Sequence, residues 1–284
     1  MSIKRLIFDS AVKSIDIFAG IAGEKMKNRM LAELVGRLTP IQSQSTPQGE
    51  INFYCLGKLP HWRAETLLSK EPDTIEWIDS FEENSEFWDI GANIGVYSLY
   101  AATRKIKVTA FEPSASNYYL LTKNIEINRF DDQILSYCLA LSNQSGFGSL
   151  NMVDTQFGSA LHDFGEKQEQ IDIVGTISKV SFQQGVLGFS IDDLIKDFSL
   201  KFPNYIKIDV DGIEDKIIEG AKKTLKDSRL KSVLIELDTR HKEYCARVVS
   251  AMNNAGIKLA KKTTANVSSQ SDFYSICNHI FSRV

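Results

Sequence analysis

Phe87-Trp88-Asp89-Ile90-Gly91-Ala92-Asn93-Ile94-Gly95 is the stretch on which the reading of this chain turns. Phe87–Ile90 has the composition of a short buried strand. The two glycines beyond it lack Cβ, so the backbone bends sharply there and comes close to whatever lies beside it. Ile94–Thr103 reads as a helix whose first N–H groups lack partners within the helix and point back at the turn, where they suit a carboxylate. One strand later, Lys107–Glu112, the chain runs Phe111-Glu112-Pro113: a strand that ends on an acid, then a proline suited to a helix start.

Outward from this segment the pattern keeps alternating. Ser114–Asn128, Ile191–Phe198, Ile213–Leu225 and Lys242–Ala255 read as helices. Ile134–Leu141, Tyr205–Val210 and Ser232–Leu237 read as strands, and Lys258–Ala260 and Phe273–Arg283 as two closing strands. Such alternation predicts an α/β fold: a doubly wound, mostly parallel sheet with an antiparallel C-terminal edge. Residues 143–190 are rich in glycine and read as an irregular insert overhanging the strand ends, part of an acceptor pocket. Upstream, Ile51–Leu56 reads as a strand and 63–83 as a helical approach broken at Pro72. Residues 39–49 read as a polar linker bounded by prolines. Residues 2–38 carry one apolar stripe at helical spacing, from Ile3, Ile7 and Ala11 through Ile15, Phe18, Ala22, Met26 and Met30 to Leu34, with Gly20 and Gly23 as candidate breaks. The expected organisation is a helical extension and linker over 1–50 and a main domain over 51–284.

In a doubly wound sheet, ligands bind beyond the carboxyl ends of the strands where strand order reverses. A dinucleotide turn reads G-x-G-x-x-G, and its second glycine lets a pyrophosphate touch the backbone. Here Asn93 stands at that position and Asp89 adds a negative charge; both oppose pyrophosphate. They favour a ligand with an ammonium group and no phosphate, such as S-adenosylmethionine. Glu112 stands where a strand-end acid accepts hydrogen bonds from ribose hydroxyls. The cofactor-binding candidates are Asp89, Gly91, Ala92, Asn93, Gly95, Glu112, Pro113 and Asp209, with Ser142 or Asn143 for the amino group of the base.

Asp89–Ser98, Phe111–Pro113, Ile206–Glu214 and the terminal Asn278–Arg283 together resemble the FkbM family of S-adenosylmethionine-dependent methyltransferases. The resemblance spans roughly residues 60–284 and leaves 1–50 uncovered. It implies a class I methyltransferase fold, Rossmann-like, and O-methylation of a sugar, glycoconjugate or secondary-metabolite hydroxyl. At 211 this chain has Asp where Glu is more usual in the family, which keeps the charge and shortens the reach.

Transfer to a hydroxyl needs alignment of the oxygen and removal of its proton. Lys207, Asp209 and Asp211 fall on one face of their strand, and Glu236 and Asp238 end the next. Three readings follow for this acidic edge. Asp209 or Asp211 acts as base or orients the ligands; the carboxylates Asp209, Glu236 and Asp238 hold Mg²⁺ or Ca²⁺; or the cluster is structural. His162 in the insert and His241 after the fifth strand are further candidate bases. His61-Trp62-Arg63 is read either as a flap over the site or as a surface helix entry with Trp62 packed inward.

The whole chain bounds the partners. Net charge is −3 over 284 residues, without the broad basic footprint of a nucleic-acid binder. The four cysteines are scattered without C-x-x-C spacing, as in a cytoplasmic protein with reduced thiols. No run of ~18 apolar residues spans a membrane, and the apolar stripe makes a homodimer plausible. The resulting expectation is an S-adenosylmethionine-dependent O-methyltransferase with a small-molecule or glycan acceptor. The rival readings are a nicotinamide-dependent oxidoreductase and a non-catalytic assembly module on the same fold.

Overall fold

The computed structural model describes residues 3–21, 23–160, 162–165, 170–171, 177–178, 180–264 and 275–283. Ala22, Gly175 and the 273–274 start of the expected last strand lie outside the described residues. The chain divides into two compact units, Met1–Ile41 and Gln42–Val284. In the first, α1 (Ile3–Ile21) and α2 (Glu24–Leu38) are separated at Gly23, whose φ of 83° falls in the region that glycine alone occupies freely. Lys27 pairs with Asp16 across the two helices at 3.2 Å. Ile15, Phe18, Met26 and Met30 of the stripe are exposed. Among the described residues no helix is long and apolar enough to cross a membrane.

The second unit opens with a hairpin, β1 (Ile41–Thr46) and β2 (Gly49–Tyr54). The expected linker is therefore a strand over most of its length: its polar side chains alternate between half-buried and exposed positions, and Ser43 Oγ donates to Asn52 Oδ1 at 2.6 Å. Helices α3 (Lys58–Glu65) and α4 (Pro72–Asp79) lead into β3 (Glu86–Ile90), α5 (Val96–Thr103), β4 (Lys107–Phe111), α6 (Ala115–Asn128) and β5 (Ile134–Tyr137). An insert follows, made of β6 (Ala140–Leu141), β7 (Gly146–Met152), β8 (His162–Phe164), β9 (Gln170–Ile171), β10 (Ile177–Ser178) and β11 (Phe182–Phe189). The chain then returns through α7 (Ile191–Phe198), β12 (Tyr205–Ile208), α8 (Glu214–Glu219), β13 (Ser232–Asp238), α9 (Lys242–Asn254), β14 (Lys258–Thr264) and β15 (Ile276–Ser282).

Seven strands form the main sheet in the order β14-β15-β13-β12-β3-β4-β5. Strands β13, β12, β3, β4 and β5 are parallel, and β15 and β14 close the edge antiparallel, as the alternating pattern predicts. Both faces are covered, so every residue of β3 is buried, its acids included. The buried acids find partners: Thr109 donates to Glu86 at 2.7 Å and Ser98 to Asp89 at 2.5 Å.

Three expectations give way. The insert is not irregular throughout: among its described residues β7, β8 and β11 join β6 in a second, mainly antiparallel sheet. Gly146, Gly148, Gly185 and Gly188 belong to strands, and a Cβ at Gly148 or Gly188 would stand 2.5 or 2.4 Å from the Phe164 ring, which fills the space they leave. Helix α8 ends at Glu219, six residues early, since a Cβ on Gly220 would meet the Ser142 carbonyl at 2.2 Å and the chain turns there into a short 3₁₀ segment. Helix α5 starts at Val96 and not Ile94, because Asn93 (φ 51°) and Gly95 (φ 89°) are left-handed.

The order reverses at β3: its successor β4 lies on one side and β12, much later in sequence, on the other. There Gly91 (φ +81°) presses on β12, and a Cβ built on it would lie 1.9 Å from the Asp209 carbonyl oxygen. Gly91→Ala is expected to destabilise the chain by at least about 2 kcal/mol. Urea denaturation measures this; an unchanged midpoint contradicts the packing described.

Candidate active site

The ends of β3, β4 and β12 frame a cavity open to solvent. Gly91 and Ala92 give their N–H groups to the Phe111 carbonyl at 2.9 and 3.0 Å, and Asn93 gives its own to Glu112 Oε2 at 2.8 Å. These three N–H groups are thus taken, since the left-handed turn aims them at the neighbouring strand end. Ser114 N–H binds the other Glu112 oxygen at 2.8 Å. Glu112 is clamped with one oxygen on each backbone donor, its remaining lone pairs directed by that clamp. Burial pushes its pKa up to about 7, against the two N–H donors and the Arg63 guanidinium, which lower it.

The insert forms the opposite wall. Asn93 Nδ2 and Asn117 Nδ2 both donate to the Ser159 carbonyl, at 2.8 and 3.0 Å. Gly158 N–H donates to Asn117 Oδ1 at 2.8 Å, and Arg63 Nε donates to the Gly158 carbonyl at 2.8 Å. These bonds bring Ser159 and His162 into the cavity with Gly91, Pro113, Asp209 and Asp211. His162 Nε2 lies 3.2 Å from Ser159 Oγ, and its backbone N–H donates to Asp211 Oδ2 at 3.2 Å. A second, small apolar cavity adjoins, walled by Phe111, Leu139, Leu141, Leu150 and Phe164, with His162 bordering both.

Beneath the turn lies a buried ionic cluster. Lys207, 1% exposed, pairs with Asp209. It stands beside Asp89 in strand register and 4.8 Å over the Tyr97 ring. Glu71, 2% exposed, accepts from Lys70 at 2.6 Å and from Asn278 and Thr74 at 3.2 Å each. Burial alone would raise Asp209, but the Lys207 ammonium, helped by Lys70, holds it well below the usual carboxylate range. Burial and the neighbouring charges of Asp209 and Glu71 push Glu236 well up, so Glu236 keeps its proton and donates to Asp209. Burial also raises Asp89, against Lys207 and the Ser98 hydroxyl.

The structure sorts the sequence candidates. It brings Gly91, Asn93, Glu112, Pro113, Asp209, Asp211 and His162 to one cavity; Asp89 lies just below, and Ala92 and Gly95 shape the turn. Ser142 stays outside: its N–H binds the Phe189 carbonyl at 2.9 Å and its hydroxyl reaches Asn143 at 3.4 Å, because β6 leaves the main sheet. His241, at the start of α9, is exposed and faces Asp238 at 3.8 Å, away from both cavities. Asp238 is gripped by Arg240, and among the described residues no three His, Cys, Asp or Glu side chains come together to hold a metal ion. At the edge expected to crowd four acids, Asp209 is joined to Glu236, while Asp238 pairs with Arg240. Trp62 is exposed, while its neighbour Arg63 reaches the cavity. Lys70, Glu71 and Asn117 escaped the sequence reading; a lysine flanked by isoleucines, Ile206-Lys207-Ile208, was the one signal that a buried cation needed partners.

Residues 89–259 match the Methyltransferase FkbM domain. The chain belongs to this family. Over 178 residues it is 26% identical to the hexuronic acid methyltransferase AglP of Haloferax volcanii, a match covering 62% of this chain and 65% of that protein. The FkbM chain therefore spans just under two thirds of that curated relative's length. Among solved structures it is similar to the FkbM methyltransferase of Methylobacillus flagellatus KT, with 14% identity, a TM-score of 0.46, and 70% of this chain and 44% of that one covered. It is also similar to M. capricolum TrmK in complex with S-adenosylhomocysteine, with 12% identity, a TM-score of 0.42 and coverages of 74% and 67%. The fold is that of the class I methyltransferases, as the family resemblance implies.

Lys207→Met leaves the acids Glu71, Asp89, Asp209 and Glu236 with Lys70 as their one remaining lysine. It is expected to cost about 3–5 kcal/mol at neutral pH, the penalty for unpairing buried charge. Without the ammonium the carboxylate pKa values rise above their unfolded values, so the deficit shrinks as pH falls and the acids take protons. Urea titrations at neutral and acidic pH measure both; a deficit independent of pH contradicts the assignment.

Proposed function

We propose that this FkbM chain transfers a methyl group from S-adenosylmethionine to a hydroxyl of a sugar-bearing acceptor. The observation that carries this reading is Glu112, a strand-end carboxylate clamped by Asn93 and Ser114 beside the glycine turn, with acceptor capacity left for a ribose diol. Two buried oxygens support it: Asp89 Oδ1 and Asn93 Oδ1 have no hydrogen-bond partner among the described residues, and both suit an ammonium donor. The adjoining apolar wall of Phe111, Leu139 and Leu141 suits the flat face of a base. Asp209, Asp211 and the Asn93 side chain oppose the pyrophosphate that a nicotinamide enzyme would bind. When bound, the cofactor supplies an electrophilic methyl on a sulfonium.

The acceptor reading rests on the similarity to the Haloferax relative, named for a hexuronic acid. The protein's own residues do the rest. Asp209, kept ionised by Lys207, offers fixed negative charge to a cationic ligand and is a poor proton acceptor. His162, oriented by Ser159 and by the Asp211 contact of its backbone, takes the hydroxyl proton at an imidazole nitrogen. The acceptor loses O–H and gains O–CH₃, and the sulfur loses its charge with the methyl.

Two outcomes test this. His162→Ala is expected to lower kcat by about 10²–10⁴-fold with little change in S-adenosylhomocysteine affinity; full turnover removes His162 from the role. Glu112 binds hydroxyls best as the carboxylate, so S-adenosylhomocysteine affinity is expected to rise as pH increases through about 7. For folding alone the sign is opposite: an acid raised in the native state contributes less stability as pH climbs from the usual carboxylate range through that value. Calorimetry on both sides of pH 7 with Glu112→Gln, weaker and flat across the range, checks the assignment.

A further inference from the structure

Three carboxylates and one arginine line the main cavity among the described residues: Glu112, Asp209, Asp211 and Arg63. Arg63 comes from α3, outside the parallel sheet. Its Nε is fixed on the Gly158 carbonyl at 2.8 Å, which sets the plane of the guanidinium. Its two terminal amino groups make no hydrogen bond among the described residues. Glu112 is near enough to feel the charge but has both oxygens on backbone N–H groups. An oriented, half-buried guanidinium with two unspent donor groups presents the fork that meets a carboxylate in bidentate fashion. The acids around it disfavour a dianion such as a phosphate monoester, whereas one carboxylate matches one guanidinium.

We propose that Arg63 is the anion contact of this cavity and holds a ligand carboxylate. Two sources share that chemistry: the amino-acid end of the methyl donor and the acid group of a sugar-acid acceptor. The assignment rests on the reading under Proposed function, and deepens it by naming the group that recognises an acid.

Calorimetry on the full chain, Arg63→Gln and Arg63→Lys separates the sources with two probe pairs. S-adenosylhomocysteine and its decarboxylated analogue report on the donor. Methyl glucuronoside and its amide, titrated with S-adenosylhomocysteine present, report on the acceptor. Arg63→Gln is expected to lose about tenfold or more on the acid of one pair, and under about twofold on its neutral partner. Arg63→Lys, retaining charge without the fork, recovers part of the loss. Loss in the first pair assigns the donor's carboxylate, and loss in the second the acceptor's. Equal loss on acid and neutral members, or no loss in either pair, overturns the proposal. A wild-type chain that binds no S-adenosylhomocysteine instead overturns the donor reading, and this assignment with it. Thermal melting shows whether each variant is folded.

Discussion

Lys207 lies buried where the strand order reverses, beside Asp89 of the neighbouring strand and in contact with Asp209. A lone ammonium there would cost several kcal/mol in lost hydration. The carboxylates around it offset that cost only as a set, and the set determines the local architecture. Asp209 must sit at the end of β12, Asp89 at the end of β3, and Glu71 must descend from the loop before α4. Gly91 supplies the other half of the constraint. Its missing side chain lets the turn close on the Asp209 carbonyl, so the loop and the ionic cluster cannot be placed independently.

This arrangement divides the acids by environment, as enzymes commonly do with paired carboxylates. Asp209 holds its charge because Lys207 is close. Glu236 is pushed well up by burial, with Asp209 and Glu71 close by adding to it. Glu112 titrates near neutrality because burial outweighs its two N–H donors. Three acids at one sheet edge thus have three different states. In the proposed reaction the hydroxyl proton passes to the wall the insert builds, where the His162 backbone N–H meets Asp211.

The sheet, its antiparallel edge and the turn after β3 were legible because each carries a local signature: buried strand composition, left-handed glycines and a strand-end acid. The insert was not. Gly148 and Gly188 read as loop residues, although they sit in strands to admit the Phe164 ring, and that ring lies far enough away in sequence that no local pattern reveals it. The polar hairpin strand at 41–46 failed for a related reason, since its partner and not its composition makes it a strand. Ser142 and His241 were misplaced by a shared assumption, that every residue following a strand faces the ligand edge. The departure of β6 into the second sheet breaks it for Ser142, and the turn held by Asp238 and Arg240 breaks it for His241.

The charge of the cavity also bears on how donor and product are told apart. Within the proposed reaction the two differ by a methyl group and by one positive charge at sulfur. Shape alone discriminates a methyl weakly, by about 1–3 kcal/mol in an apolar pocket. Fixed negative charge in a partly enclosed cavity adds a term that acts on the donor and disappears with transfer. For that term to persist, Asp209 must stay ionised whatever the acids around it do. The buried lysine beneath it secures this, and so couples the stability of the fold to the preference for a cationic ligand.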